Sequence, residues 1–362
     1  MSRRFLSDVH FSLLAVILFL CIVGIFNLYS ATYQGGGQLY LTQVYWMLTG
    51  LVLMILLLFV DYRILERFAY PILVISIVAL IAVLAVGPKI YGARRWLPLG
   101  FTRFQPSELM KVTLIVTLAK YFHDDHTVGG YSFTKLIKPL LLAGIPVLLV
   151  AAEPDLGTAL LLCFISFSIF LFVKIKWQTV LMIALVGALS VPLAYRFVLK
   201  DYQRDRVKTF LNPSRDPKGR GYHSIQSIIA VGSGKFYGKG HLKGSQTQLA
   251  FLPEQHTDFI FSVFAEEHGF TGVVIFLFVY IAFLFFGLDV SRSARDKFGA
   301  ILALGITAMF FWHAFVNIGM VIGVMPVVGV TLPFMSYGGS SLLVSMISVG
   351  LLLSIYSRRF IF

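Results

Sequence analysis

The chain has 362 residues, of which 58% are hydrophobic and 13% are charged, and its formal net charge is +13. Soluble globular domains have about 45–50% apolar and about 25% charged residues. This composition excludes a soluble enzyme, a disordered chain and a secreted disulfide-linked scaffold. The apolar runs are continuous, unlike the alternating strands of a membrane β-barrel. The sequence therefore predicts an all-α polytopic membrane protein.

About 20 consecutive apolar residues are needed for a membrane-spanning helix. Ten segments approach this length, so we expect about ten transmembrane helices in a single integral membrane domain over residues 1–362. A further apolar stretch, 324–339, is broken by Pro326, Gly329 and Pro333. In chain order the predicted spans are 11–31, 43–60, 69–87, 106–121, 138–152, 156–173, 178–198, 259–288, 299–323 and 340–356.

Lysine and arginine between the spans predict the orientation. With a cytoplasmic N-terminus, the cytoplasmic segments carry 14 basic residues, and the outer segments 32–42, 153–155 and 324–339 carry none. Cytoplasmic segments of membrane proteins are enriched in lysine and arginine, so both termini are expected inside. The large extracytoplasmic loop 199–258, between spans 7 and 8, carries ten basic residues, but long loops escape this rule.

A short outer segment is a genuine exception. Residues 88–105 carry Lys89, Arg94, Arg95 and Arg103. A positive cluster on this face predicts an anionic ligand, and general surface charge is the alternative. The segment 232–244 of the long loop has five glycines around Lys235, Lys239 and Lys243. It is either a phosphate-binding segment or a flexible connector. Before it, residues 222–231 have the spacing of a short amphipathic helix.

Charged residues at the ends of the spans are functional candidates, because their burial in a membrane is costly. Glu108 and Lys111 are i,i+3 neighbours at the start of a span, and they either line a cavity or form a structural ion pair. Glu153-Pro154-Asp155 forms a short outer turn. Its carboxylates could bind a cation or pair with Arg94 or Arg95, or Asp155 could cap the next helix.

Two further polar motifs precede spans on the outer side. Glu254, His256 and Asp258 come just before the eighth span, where Asp258 is either a helix cap or a general base. The motif 336–341 begins with Ser336 and Tyr337 and either lines a polar mouth or supplies a cap through Ser340. No C-x-x-C, H-E-x-x-H or G-x-S-x-G motif occurs in the sequence.

Six motifs in order resemble the SEDS proteins (shape, elongation, division and sporulation) of bacterial cell-wall synthesis. The resemblance covers nearly the whole chain and is greater to the elongation members than to the division members. The motifs are GARRW (92–96), QPSELMK (105–111), EPDLGTA (153–159), NPSRDPKGRGYHSIQSIIAVGSG (212–234), LPEQHTDFIF (252–261) and NIGMVIGVMPVVGVTLPFMSYGGSS (317–341).

The resemblance implies a multi-pass protein of the cytoplasmic membrane, a peptidoglycan glycosyltransferase that polymerises lipid II on the outer face. It places the essential aspartate of the family on Asp258. It also implies a partner, a class B penicillin-binding protein with transpeptidase activity, whose membrane helix docks near spans 8 and 9, about 259–323. Other important positions of the family correspond to Arg94, Arg95, Glu108, Lys111 and Asp155.

The implied reaction fits the residues found from the sequence. A sugar 4-hydroxyl displaces the pyrophosphate of undecaprenyl pyrophosphate from an anomeric carbon with inversion, which requires one base and a stabilised leaving group. We expect Asp258 to be the base and Arg94, Arg95 and Lys239 to bind the pyrophosphate. Glu108 and Lys111 would shape the cavity. A divalent cation, Mg²⁺ or Mn²⁺, with Asp155 or Asp258 as ligand is a further expectation, and no organic cofactor is expected.

Two other functions also fit this sequence. Broken apolar segments and buried charges occur in transporters, so the chain could be a lipid II flippase. Against this, the charges cluster at the outer face and no internal repeat is visible. The second alternative is a non-catalytic scaffold that recruits the transpeptidase, for which Asp258 would be dispensable.

Overall fold

The computed structural model describes residues 10–33, 38–90, 93–98, 100, 103–127, 129–193, 196, 201–212, 220–249, 251 and 254–360. Each of the ten predicted spans corresponds to a helix over most of its described residues. The first seven are α1 (Phe11–Thr32), α2 (Leu39–Phe59), α3 (Arg63–Val86), α4 (Pro106–Asp124), α5 (Phe133–Ala152), α6 (Leu156–Phe172) and α7 (Trp177–Leu193). After the long loop come α11 (Ile260–Ser293), α12 (Lys297–Val321) and α13 (Gly339–Ser357).

Seven helices in the described part of the chain are long and apolar enough to cross a membrane: α1, α2, α3, α5, α11, α12 and α13. The polytopic all-α prediction is therefore confirmed. Helix α5 begins at Phe133, five residues before the predicted start at residue 138. The prediction missed the first turn because that turn carries the exposed Lys135 and contributes little to the apolar run. Helix α11 continues past residue 288 to Ser293.

The segments between these helices contain shorter elements. Two antiparallel strand pairs precede α4: β1 (Lys89–Ile90) pairs with β2 (Ala93–Arg94), and β3 (Leu97–Pro98) pairs with β4 (Arg103–Phe104). The large loop contains α8 (Asp201–Leu211), α9 (Arg220–Ser233) and α10 (Ser245–Gln248). Helix α9 includes the predicted amphipathic helix 222–231. Residues 213–219 of the quoted motif 212–234 lie outside the described residues.

Helix α4 is the centre of the bundle. It packs against α3, α5, α6, α12 and α13, and most of its side chains are buried. Pro106 occupies the first turn, where its missing N–H has no intrahelical acceptor to lose. Helix α13 packs mainly on α2, and α11 lies between α1 and α12. The charges at the start of α4 are thus enclosed by protein rather than exposed to lipid.

A close crossing of two backbones interrupts α11. Gly269 has φ 65° and ψ −168°, a combination available essentially only to glycine. The N–H groups of Lys239 and Gly240 donate to the carbonyls of Glu266 and Glu267 at 3.1 and 2.9 Å. The glycine-rich segment 232–244 is therefore joined to the first turns of α11.

We expect Gly269→Ala to destabilise the protein by at least about 2 kcal/mol, because alanine adds strain at this φ and its methyl group would overlap the backbone of residues 236–238. The thermal unfolding midpoint of the purified protein in detergent measures this. The matched control is Gly144→Ala in α5, where an added methyl group meets nothing within 4 Å. Equal unfolding midpoints for the two variants would contradict the requirement for glycine at residue 269.

Candidate active site

One end of the bundle gathers most of the polar residues singled out by the sequence. Helices α4, α6, α11 and α13 begin here, and α3, α5 and α12 end here; we call it the site end. The turn of residues 254–259 leads into α11 at this end. Glu254 is exposed, and His256 and Asp258 are half-buried. These three residues therefore lie where a ligand from outside the bundle can reach them.

An asparagine in α12 holds the backbone of Asp258. The Asn317 Nδ2 donates to the Asp258 carbonyl at 3.0 Å and to the Val330 carbonyl at 2.7 Å. Asn317 is fully buried. The same amide thus fixes the distance between the turn and the segment before α13. It does so through the backbone of Asp258 and does not use its carboxylate.

The neighbouring residues of the turn are held in the same way. Ser336 Oγ donates to the Thr257 carbonyl at 2.7 Å, and the Tyr337 N–H donates to the His256 carbonyl at 2.9 Å. Gln43 of α2 donates to the Ser336 carbonyl at 3.1 Å. The sequence prediction treated Ser336 and Tyr337 as part of a polar mouth. The structure brings both to the turn that carries Asp258, and in these bonds they support its backbone.

The carboxylate of Asp258 faces a glycine. A Cβ on Gly329 would lie 3.2 Å from the Asp258 Oδ2, and Gly329 has φ 75°. The N-cap position of α11 is Phe259, so Asp258 lies one residue before the cap. The interpretation of Asp258 as the cap of this helix is therefore wrong.

Residues 324–338, which we call the strap, connect α12 to α13 without helix or strand. This agrees with the break predicted from its prolines and glycine. The strap packs on the start of α6, where a Cβ on Gly157 would lie 2.7 Å from the Val328 carbonyl oxygen. The N-cap of α13 is Gly338, and Ser340 instead contacts residues 103–105, so the capping interpretation of Ser340 is wrong.

Glu108 and Lys111 form the predicted ion pair, with 2.9 Å between Lys111 Nζ and Glu108 Oε2. Both are buried, and Lys111 is only 1% exposed. The Lys111 Nζ also lies 2.7 Å from His313 Nε2, and His313 Nδ1 lies 3.0 Å from the Thr331 carbonyl. Because an ammonium group only donates, Nε2 accepts and the proton is on Nδ1. This chain of bonds joins α4 to α12 and the strap.

Asp155 is a helix cap. Its Oδ1 accepts from the Thr158 N–H at 3.4 Å, and its Oδ2 accepts from Thr158 Oγ1 at 2.9 Å and from Gln105 Nε2 at 3.2 Å. The side chain is 2% exposed. The capping alternative for Asp155 is thus the one observed. Both carboxylate oxygens are already surrounded by donors.

The two adjacent arginines of the basic segment have different partners. Arg94 Nη1 donates to the Leu84 and Ala85 carbonyls at 2.8 and 3.0 Å, where α3 ends. Arg95 Nη2 donates to the Pro154 carbonyl, between the two acids of the outer turn. The Arg95 Nε is buried and has no hydrogen-bond partner among the described residues. Arg95 therefore has one buried donor without a partner among the described residues, whereas Arg94 is committed to the helix end.

Glu153 is the second acid of that turn and is fully buried. Neither carboxylate oxygen has a hydrogen-bond partner among the described residues. Burial, with a smaller contribution from Asp155 and against the effect of Arg95, raises the pKa of Glu153 from 4.5 to about 8. The carboxyl group is therefore largely protonated at neutral pH.

The glycine-rich segment surrounds two buried acids. Lys239 Nζ donates to Glu266 Oε1 at 2.7 Å, and Thr247 Oγ1 donates to Glu266 Oε2 at 3.0 Å. The Leu242 N–H donates to Glu267 Oε1 at 3.0 Å. The segment is thus an ordered clasp rather than a flexible connector. A phosphate-binding role for Lys239 stays a prediction, since its ammonium group already has an anionic partner.

The described residues contain one group of three metal-ligating side chains, Glu66, His123 and Asp124, at the opposite end of α4 from Glu108. At the site end, the donors around Asp155 leave its oxygens poorly suited to a cation. Asp258 is the other predicted ligand, and one or two carboxylates hold Mg²⁺ in proteins when substrate phosphates complete its coordination. A divalent cation at Asp258 therefore stays a prediction.

Several residues of this site were not singled out as candidates from the sequence. The turn 254–259 is held by Asn317, and the ion pair contacts His313. The strap accepts a hydrogen bond from Gln43. Each of these three residues lies inside a predicted span. Polar side chains in apolar segments were the available signal. Gln255 adds a further contact to α1, where its Nε2 donates to the Ala31 carbonyl at 2.8 Å.

The family model described as cell cycle protein, FtsW/RodA/SpoVE, matches residues 9–359. The chain belongs to this family. The FtsW/RodA/SpoVE match confirms the resemblance to the SEDS proteins. Among curated relatives, the peptidoglycan glycosyltransferase MrdB of Escherichia coli K12 is 40% identical over 360 residues, covering 99% of this chain and 96% of MrdB. RodA of Treponema pallidum is 32% identical, covering 99% and 100%.

Solved structures of the FtsW/RodA/SpoVE family share the fold. A chain of a peptidoglycan synthase complex, described as coordinating polymerization and crosslinking, matches with a TM-score of 0.85 and 36% identity, over 98% of this chain and 99% of that one. The rod shape determining protein RodA of Thermus thermophilus matches with a TM-score of 0.74 and 30% identity, over 97% and 98%. The described helices are thus arranged as in other members of the family.

Removing one partner of the buried ion pair should be costly. We expect Lys111→Met to destabilise the protein by about 3–5 kcal/mol, because it leaves the Glu108 carboxylate buried without its cation. The double variant Glu108→Gln/Lys111→Met should recover most of this loss. Thermal unfolding in detergent checks both, with Lys208→Met at the exposed Asp205 pair as the control, for which about 0–1 kcal/mol is expected. A double variant as unstable as the single one would contradict this account.

The raised pKa of Glu153 predicts a pH-dependent stability. Between pH 4.5 and about 8 the folded protein keeps a proton that the unfolded chain releases, so its stability falls as pH rises through this range. Glu153→Gln removes this titration. We therefore expect the unfolding midpoint of the variant, relative to the natural chain, to increase steadily from pH 5 to pH 8 and then to level off. A difference that is constant with pH would show that Glu153 is not protonated in the folded state.

Proposed function

We propose that this chain is a peptidoglycan glycosyltransferase that joins lipid II units into glycan strands and releases undecaprenyl pyrophosphate, with Asp258 as general base. The observation that carries the proposal is the turn 254–259. It presents a half-buried carboxylate at the end of the bundle while Asn317 and Ser336 hold its backbone. Family membership and the activity named for relatives such as MrdB support the same reaction.

One base is enough for this reaction. The sugar 4-hydroxyl oxygen attacks the anomeric carbon of the neighbouring unit, the bond from that carbon to the pyrophosphate oxygen breaks, and the hydroxyl proton passes to Asp258. Inversion follows, because attack and departure occur on opposite faces of the sugar. The pyrophosphate needs no proton to leave, so a second carboxylic acid is not required, unlike in glycosidases. A fixed backbone at Asp258 favours proton transfer by keeping the carboxylate within reach of the hydroxyl.

The leaving group requires fixed positive charge. Arg95 is the best placed of the predicted cations, since it borders the turn of Glu153 and Asp155 and retains a buried Nε donor. Arg94 would act indirectly by anchoring the basic segment to α3. Glu108 and Lys111 would shape the inner wall of the cavity through His313 and the strap. A divalent cation at Asp258 stays a prediction.

A lipid-linked substrate explains why the active site is at the end of a membrane bundle. The undecaprenyl chain would remain in the bilayer while the sugars react outside it. The basic residues predict that the site end faces the outside of the cytoplasmic membrane, with both chain termini inside. Glu254 and His256, beside Asp258, would then contact the sugar or pyrophosphate.

The partner expected is a class B penicillin-binding protein with a single membrane helix. Exposed apolar side chains on the outer halves of α11 and α12 support its docking at these spans. They include Phe270 and Val274 of α11 and Phe315 of α12, all exposed to between 46 and 57%. A chain with the same fold occurs in a peptidoglycan synthase complex.

The proposal predicts glycan polymer from labelled lipid II with the natural chain, and at least a 100-fold slower reaction with Asp258→Asn, because the amide cannot accept the proton. Polymer length and rate would be read by gel electrophoresis, with and without the class B partner. Asp205→Asn, an exposed aspartate of α8, is the matched control and should leave the rate unchanged.

Each alternative function predicts a different result. Equal amounts of polymer from the natural chain and from folded Asp258→Asn would exclude Asp258 as the general base. A flippase would yield no polymer under any condition but would translocate labelled lipid II in vesicles. A scaffold would yield none either, and its loss-of-function variants would lie on the docking face of α11 and α12.

A further inference from the structure

We infer that Phe334 is a positioning residue for the reaction: packing of its ring holds the strap in a left-handed turn, and this turn places Ser336 and Tyr337 against the backbone of the turn 254–259. The inference rests on the proposed function, because it assigns Phe334 an effect on the candidate base Asp258. Phe334 acts through the strap and is not expected to touch the substrate.

The backbone of Phe334 has a conformation that a bulky residue rarely adopts. Its φ is 67°, in the left-handed region. Six residues other than glycine have positive φ in the described part of the chain, and Phe334 is the buried one among them. A conformation of this kind is costly and persists only where the surrounding structure imposes it. The contacts of residue 334 should therefore show what imposes it.

The local sequence does not favour this conformation at residue 334. The Met335 N–H donates to the Leu332 carbonyl at 3.2 Å, which closes a four-residue turn with Pro333 second and Phe334 third. Proline is common at the second position of a type II turn, and the third position requires a positive φ and is usually glycine. Phenylalanine at the third position breaks this rule. Natural proteins break such rules mainly at functional or strained sites.

The Phe334 side chain supplies the packing that holds the turn. It is 4% exposed, its ring stacks on Phe310 of α12 with centroids 5.4 Å apart, and Phe283 of α11 meets it edge-on at 5.6 Å. On another side α1 packs directly on the same backbone, since a Cβ on Gly24 would overlap the Phe334 carbonyl oxygen. The turn is therefore fixed by three helices.

This turn sets the position of the Ser336 hydroxyl. The Leu332 N–H donates to Ser336 Oγ at 2.8 Å, and the Leu332 carbonyl accepts from the Ser336 N–H at 2.9 Å. The same hydroxyl donates to the carbonyl of Thr257, the residue before Asp258. A change in the backbone at Phe334 would therefore be transmitted through Ser336 to the segment that carries the candidate base.

Packing alone is the alternative explanation. In that case Phe334 would only fill space between α11 and α12, and its backbone conformation would be incidental. The two explanations predict opposite orders for glycine and alanine at residue 334. Both substitutions remove the ring, but glycine adopts a φ of 67° without strain, whereas alanine keeps the strain. If only packing matters, alanine is at least as favourable as glycine, because glycine loses more conformational entropy on folding.

The test compares Phe334→Gly with Phe334→Ala by the polymerisation rate with lipid II and by the unfolding midpoint in detergent. We expect kcat to fall about 10–100-fold in Phe334→Ala, with little change in KM, because a displaced Ser336 no longer holds the turn 254–259. Phe334→Gly should have a kcat at least about five-fold higher than Phe334→Ala and an unfolding midpoint at least about 2 °C higher.

The matched control is the neighbouring ring of Phe310. Phe310 is also fully buried, but it lies inside α12, where glycine is less favourable than alanine. Phe310→Gly should therefore unfold at a lower temperature than Phe310→Ala. Where loss of the Phe334 ring prevents folding, Gly24→Ala displaces the same turn from the side of α1 and should lower kcat at least about ten-fold.

A second measurement asks whether the effect passes through residue 336. On a Ser336→Ala background, Phe334→Ala should lower kcat by less than about three-fold, because the hydrogen bond that it disturbs is already absent. Phe298→Ala removes a fully buried ring at the opposite end of α12 from the strap. It should change kcat by the same factor on both backgrounds.

Two results would overturn the inference. One is a kcat and an unfolding midpoint of Phe334→Ala that equal or exceed those of Phe334→Gly, which would leave packing as the whole explanation. The other is an equal loss from Phe334→Ala with and without Ser336. Failure of the proposed function is recognised separately, because the natural chain would then make no polymer, while the order of the unfolding midpoints would still report the strain at residue 334.

Discussion

The bond network around Asn317 is the constraint on which the rest of the site depends. Irregular backbone that is buried in a bundle needs hydrogen-bond partners for its polar groups. The strap and the turn 254–259 are both irregular, and Asn317 satisfies one carbonyl of each. Ser336 and Tyr337 add two more bonds between the same segments. The position of Asp258 is therefore set by hydrogen bonds to the backbone that carries it.

The buried ion pair extends this constraint into the bundle. Lys111 contacts Glu108 on its own helix and His313 on α12, and His313 reaches the Thr331 carbonyl of the strap. Burying a charge costs several kcal/mol per ion unless geometry and hydrogen bonds are favourable, so such a pair is weak evidence for stability alone. Its value is in specifying one arrangement of α4, α12 and the strap. The same strap supports Asp258, so the pair and the candidate base share one structural element.

The fold class could be predicted from the sequence because the thickness of the bilayer sets the length of the apolar runs and basic residues mark the cytoplasmic segments. The ten predicted spans all correspond to helices, with errors at the ends where a charged turn such as that of Lys135 extends the helix into water. The same information was sufficient to find Glu108, Lys111 and Asp258, since charged residues are rare at such positions. It could not decide between capping and catalysis. The structure assigns the cap position to Asp155 in α6 and to Phe259 in α11, and the catalytic role of Asp258 stays a prediction.

Sequence spacing cannot predict which distant residues contact each other. These contacts determine which of the basic residues are already paired. Arg94 and Arg95 are adjacent and chemically identical, yet one is used by the end of α3 and the other lies beside the acid turn. Lys239 similarly neutralises Glu266 from 27 residues away. A leaving pyrophosphate is stabilised by charge that is fixed before the reaction and not already neutralised. By that criterion the net charge of the basic segments is a poor measure of anion binding, since Lys239 is already paired with Glu266, and the role proposed for Arg95 depends on its position beside the acid turn.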